Sequence, residues 1–242
     1  MWEAMWWGLV GGIALVIGAA AGLAGNPRPR LIALVMAFGS GVLISALAFE
    51  LAAESFEAGG ALALTAGLAA GSATFFLGDL AIDRFGGEHR KRSDGRQQSG
   101  TAMAIVLGSL LDGIPESAAI GVSLLSGGSV GVAVVAAVFL SNVPESMSAA
   151  AGLRKAGHST RWILTLWIGV ALVSALSAGL GYAFLGSTSP ATIAVVQAFA
   201  AGAILTMLAD TMLPEAFENG GNTTGLVATL GFTTAFLLSH TT

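Results

Sequence analysis

An all-α polytopic membrane protein with eight transmembrane helices is the fold class this sequence predicts, and three observations predict it. Of the 242 residues, 55% are hydrophobic and 10% are charged, against roughly a quarter charged in a typical soluble protein. The apolar residues fall into runs of about 20, each long enough to cross ~30 Å of hydrocarbon as a helix. All 10 Lys and Arg residues lie in only three of the connections between those runs. Glycine, with 34 residues, is about twice its usual ~7%, which suits helices that associate in lipid by close backbone approach. Cysteine is absent, so disulfides and thiolate metal sites are excluded. The net charge is -4 and the basic residues are few and local, so nucleic acid is not an expected partner.

The first span covers about 5–24. No Lys or Arg precedes it, so it lacks the basic start of a signal peptide and is read as a retained helix. Pro27 and Pro29, interleaved with Arg28 and Arg30, close it. The second span, about 31–53, ends in Glu54, Glu57 and the pair Gly59-Gly60; the third covers about 61–82. A polar loop at 83–100 follows, with Arg84, Arg90, Lys91, Arg92 and Arg96. Within it, Asp83 and its helical neighbour Asp79 are expected to pair with Arg84 or the basic loop. The fourth and fifth spans, about 102–125 and 129–152, are separated by a short Gly/Ser turn near Ser126. Arg154, Lys155, His158 and Arg161 form the next connection. The sixth span covers about 162–185, the seventh 191–213 and the shorter eighth 226–239, preceded by Glu215, Glu218 and a Gly-Gly-Asn turn. Nothing in this order sets apart a soluble domain, so residues 1–242 are read as a single transmembrane domain.

The charges orient the chain. The basic connections are 1–2, 3–4 and 5–6, which alternate onto one face. Basic short loops stay in the cytoplasm, so both termini are expected outside a cell membrane. A repeat supports the count. Residues 38–60 align with 199–221 without a gap, at an offset of 161. Gly41 meets Gly202, Leu47 meets Leu208, and Glu54-x-Phe56-Glu57 meets Glu215-x-Phe217-Glu218. The second and seventh spans run in opposite directions, so the similarity predicts inverted-topology repeats in a 3+2+3 arrangement, with spans 4 and 5 on the axis. The competing explanation is chance likeness among Gly/Ala/Leu-rich helices.

The chemistry lies in spans 4 and 5. Each carries Pro-Glu-Ser: Pro115, Glu116 and Ser117 in one, Pro144, Glu145 and Ser146 in the other. A carboxylate near the middle of a membrane span is costly and needs a partner or a purpose. Asp112 and Glu116 are four residues apart and share a helix face. Two acids that close in a low dielectric stay ionised only with a cation between them. Ser141 and Glu145 have the same spacing, with Asn142 alongside. Each proline removes a backbone donor and frees the carbonyl four residues back, Leu111 or Leu140. Together these groups offer three carboxylates, an amide, hydroxyls and carbonyls, an oxygen-rich site for a divalent cation. The alternatives are a structural kink around a protonated Glu, a proton relay, and prolines that neighbouring helices tolerate.

Glu50 and Glu54 near the outer end of span 2, and Asp210 and Glu215 near the inner end of span 7, are candidates for entrance and exit, since acid-lined clefts concentrate cations. The alternative is the ordinary polarity of helix ends. His89, His158 and His240 all lie outside the spans, so none is a midplane ligand; His89 is a candidate only for the cytoplasmic exit. No span contains an H-E-x-x-H pair or any Lys or Arg. A zinc hydrolase and a lipid-pyrophosphate hydrolase are therefore disfavoured, and the chain is read as no enzyme.

Asp112-Gly113-Ile114-Pro115-Glu116-Ser117 and Ser141-Asn142-Val143-Pro144-Glu145-Ser146 resemble the H-N-x-P-E-G and [HQ]-[ND]-x-P-E-x motifs of the ZIP family of divalent metal transporters. Span 2, with FGSGVLISALAFELAAE, and span 7, with MLADTMLPEA, also resemble their counterparts in that family. The resemblance implies eight helices, both termini outside, an inverted 3+2+3 arrangement and a divalent metal as substrate, with no cofactor. Here Asp112 stands for the family histidine, Gly113 for the asparagine and Ser141 for the His or Gln. Span 6 brings no Asp or Glu for a second metal. The metal ligands implied are Asp112, Glu116 and Glu145, with Asn142 and Ser141 as weaker ones. Such an imidazole-free set favours manganese or ferrous iron, with zinc still open. Expected partners are the ion, the bilayer and, as an option, a second copy of the chain. A proton-coupled carrier or a cation channel using the same acids is the alternative function.

Overall fold

The structure, a computed structural model, describes residues 1–25, 28–84, 102–127 and 132–239, without the side chains of 102–105, 126–127 and 132–133. Most of the basic 83–100 loop with His89, the turn after 127, and His240 lie outside the described residues.

The described chain is helical throughout. The elements are α1 (Trp2–Ala24), α2 (Pro29–Ala46), a π-helical turn (Leu47–Ala52), α3 (Ala53–Arg84), α4 (Ala102–Gly127), α5 (Val132–Lys155) and α6 (Thr160–Leu185), then α7 (Pro190–Met207), a second π-helical turn (Leu208–Met212), α8 (Leu213–Gly220) and α9 (Thr223–Ser239). Among the described residues, five helical segments are long and apolar enough to cross a membrane: Trp2–Ala24, Pro29–Arg84, Val134–Lys155, Thr160–Leu185 and Pro190–Gly220. Local chemistry sets several starts. Pro29 and Pro190 open α2 and α7, where the missing N–H has no intrahelical partner to lose. Ser159 and Ser189 cap α6 and α7 by accepting the backbone N–H of Trp162 and Thr192.

Pro29–Arg84 is 56 residues long, far more than the ~20 that span a bilayer. Gly60 divides it, with φ 72 and ψ -175, a backbone region open to glycine at little cost. Gly221 caps α8 at φ 59, and the two glycines are partners in the 161-residue repeat. The π turns also fall at repeat-equivalent places, Leu47–Ala52 and Leu208–Met212. The hydropathy pattern gives no sign of them, because widening one turn leaves the composition unchanged. Helical structure in the seventh run passes Leu213 and continues to Gly220, with Pro214 in the first turn of α8.

The helices pack as two groups. In one, α1 lies against α5 and α6, and α4 against α6; in the other, α3 lies against α7 and α2 against α9. The groups meet along α2–α5 and α4–α7. Exchanging α1 with α6, α2 with α7, the latter part of α3 with α9, and α4 with α5 turns α1–α6 into itself and each of the other pairings into another of the set. The repeat in sequence is thus also a repeat in packing. Its closest contacts show the same relation: Gly71 abuts the Phe199 carbonyl and Gly231 the Phe38 carbonyl, and Phe38 and Phe199 are aligned partners.

A Cβ at Gly71 or Gly231 would collide with backbone, which cannot rotate away. Gly71→Val and Gly231→Val are each expected to cost at least the ~1–3 kcal/mol of ordinary overpacking. Gly225→Ala, where a Cβ meets open space, is the control. Thermal melts in detergent check this: equal melting temperatures for all three variants would refute the close-packing assignment.

Polarity is distributed inside out. Leu62 is 82% exposed, Phe184 73% and Leu226 71%, while Glu116 is 1% exposed and Asp112 and Glu145 3%. An apolar surface of that extent needs lipid around it. The chain is an all-α, multi-pass membrane protein.

Candidate functional site

Both motif helices run through their prolines: α4 contains Pro115 and α5 contains Pro144. The serines after the two glutamates bond back to the backbone of their own helices. Ser117 Oγ donates to the Gly113 carbonyl at 2.6 Å and Ser146 Oγ to the Asn142 carbonyl at 2.7 Å. These are matching bonds at the 29-residue offset between the motifs. Each satisfies its own hydroxyl within its helix.

The five residues of the expected ion site are all buried: Asp112, Glu116, Glu145, Asn142 and Ser141. Asp112 and Glu116 share one face of α4, and Ser141 and Glu145 one face of α5. Asn142 Nδ2 donates to the Gly11 carbonyl on α1 at 3.1 Å, which leaves its side-chain oxygen as an acceptor. Ser141 Oγ donates to the Val138 carbonyl at 3.0 Å, again leaving lone pairs. Among the described residues, no three His, Cys, Asp or Glu side chains are gathered into a ready-made metal cage. Asp112, Glu116 and Glu145 are three such side chains: the structure buries all of them on α4 and α5 but does not gather them about one point.

The side of α4 next to the site faces a hydroxyl. A Cβ on Gly113 would stand 3.6 Å from Ser174 Oγ and 3.7 Å from Val170 Cγ1 of α6, and Ser174 is buried. Sequence reasoning passed over Ser174, because one serine in an apolar helix is too common to signal anything. About one turn beyond Glu116 along α4, Ala119 joins Leu43, Leu47, Leu51, Val138 and Ile204 around an apolar cavity of about 10 Å³. That is room for about one water, with no polar partners to hold it. The lining on that side is apolar.

The four outlying acids differ in setting. Glu50 is half-buried in the first π turn and Asp210 exposed in the second, opening on a lateral groove shared with Ser72 and Thr206. Glu54 accepts a hydrogen bond from Gln197 Nε2 of α7 at 2.9 Å. Glu215, buried, accepts one from Ser148 Oγ of α5. Neither Gln197 nor Ser148 was singled out from the sequence. Gln197 did leave a signal, as the lone amide in an otherwise apolar α7.

Compared with known families, residues 80–239, more than half of the chain, match a family model described as ZIP zinc transporter. The matched stretch includes both motif helices. No curated protein matches the chain.

Proposed function

Because the chain belongs to the ZIP zinc transporter family, whose members are transporters of divalent metal ions, we propose that it carries a divalent cation into the cytoplasm through a midplane site on α4 and α5. Asp112, Glu116 and Glu145 supply the negative charge, and Asn142 and Ser141 neutral oxygens. The observation that carries this reading is the deep burial of all three acids in a lipid-bounded chain. Carboxylates so placed are stable when a cation shares their field.

Eight spans in a 3+2+3 arrangement follow once Pro29–Arg84 is counted as two rods about Gly60 and α9 as the last crossing. With basic connections inside, both termini lie outside. Movement of one helix group against the other along α2–α5 and α4–α7 would expose the site to the two faces in turn. This is the alternating access that inverted repeats support. The absence of imidazole and thiolate from the set widens the candidate cargo from zinc to manganese and ferrous iron.

The test is metal uptake into liposomes holding the purified protein, comparing zinc, manganese, ferrous iron and cobalt. Saturable uptake of at least one is expected. Uptake that never saturates and is accompanied by conductance would indicate a channel. No uptake of any metal would refute the proposal and favour a proton-linked carrier.

A further inference from the structure

The Ser148–Glu215 hydrogen bond joins the two helix groups. Ser148 lies on α5, in the group of α1, α4 and α6. Glu215 lies on α8, which packs on α2 and is tied to α9 by the Thr224 Oγ1 donation to the Ala216 carbonyl at 3.1 Å. Both partners are buried. A hydroxyl bonded to a carboxylate away from water is among the stronger neutral–charged bonds. Ser148 also stands one helical turn from Glu145, so whatever holds Ser148 against α8 holds Glu145 in place as well.

The repeat shows that the bond has no twin. The equivalent of Glu215 is Glu54, and the equivalent of Ser148, at the 29-residue offset between the motifs, is Ala119. Alanine has no donor. Ala119 instead lines the apolar cavity with Leu47 and Leu51, and Glu54 is bonded to Gln197 within its own helix group. One end of the boundary between the groups is therefore fastened by a buried hydrogen bond from Ser148, while the equivalent position at the other end is an alanine in an apolar lining.

We propose that Ser148 and Glu215 form a latch that sets the balance of the transport cycle. Opening the α5–α8 end breaks a carboxylate hydrogen bond, and Ala119, at the equivalent place on α4, has no side-chain donor for such a bond. The two residues are positioning residues: they act through the placement of α5 and Glu145. By the charge orientation, the latched end is the cytoplasmic one, so release of the ion is the step that the latch restrains. This rests on the alternating-access reading.

The chain contains no cysteine, which permits spin labels at Ala156→Cys and Asn219→Cys, at the ends of α5 and α8. Distances between them are measured by double electron–electron resonance in the full chain in lipid. Ser148→Ala and Glu215→Ala are each expected to raise the long-distance population about tenfold, and the double variant no further than the larger single change. An unchanged distribution in Ser148→Ala, or additive effects in the double variant, would overturn the latch. Metal uptake by the wild-type chain in the same liposomes keeps the two proposals apart. Its absence would remove the transport reading while leaving the distance result to decide the latch.

Discussion

Replacing either Glu116 or Glu145 with alanine is expected to lower metal uptake at least a hundredfold while leaving the protein folded. The two glutamates are buried on separate helices, and each supplies charge that no neutral oxygen in the site can replace. In a low dielectric, removing one of three negative charges around a divalent ion weakens its binding by several kcal/mol. That is ample for a loss of this size, at tenfold for each 1.4 kcal/mol. Folding is expected to survive the loss of one charge, because a carboxylate is costly to bury within a membrane span. Size-exclusion profiles and melting temperatures near wild type would separate loss of the site from loss of the fold. Normal uptake in either variant would remove that glutamate from the ion path.

The second large effect concerns selectivity. Asp112→His puts an imidazole one turn from Glu116. Imidazole suits zinc, whereas carboxylates and carbonyls suit harder ions such as manganese. The ratio of zinc to manganese transport is expected to rise about tenfold. Competition assays in liposomes measure that ratio directly. An unchanged ratio, with uptake intact, would show that residue 112 does not touch the ion. Gly113→Asn is the companion change. A Cβ at Gly113 meets nothing closer than 3.6 Å, so the backbone there accepts a Cβ in ordinary van der Waals contact.

Much of this was legible in the sequence because membranes make some residues rare. A proline and a carboxylate together inside an apolar run stand out, and two such sets in successive runs mark α4 and α5. The paired glycines at Gly59-Gly60 and Gly220-Gly221 marked two turns, and the positive φ at Gly60 and Gly221 supplies the reason. Other features had no signal. The π turns at Leu47–Ala52 and Leu208–Met212 change the backbone without changing the hydropathy. The apolar pattern bounds the seventh run at about 213, yet α8 carries helix on to Gly220. The serines were the least readable. Ser117, Ser146, Ser148 and Ser174 look alike in sequence, yet two back-bond within their own helices, one bonds Glu215 across the two groups, and one faces Gly113. Only packing tells them apart, because a hydroxyl is small enough to be buried either way.

The measurement that bears most directly on the central claim is X-ray absorption at the metal edge of protein loaded with one equivalent of zinc. A site built from Asp112, Glu116, Glu145, Asn142 and Ser141 predicts a first shell of oxygen alone, at about 2.0–2.2 Å, and no bound metal when Glu116 and Glu145 are both alanine. Imidazole scattering in the first shell would contradict the account, since every histidine lies outside the proposed spans. An unchanged metal spectrum in the double variant would contradict it equally, by placing the ion elsewhere in the chain.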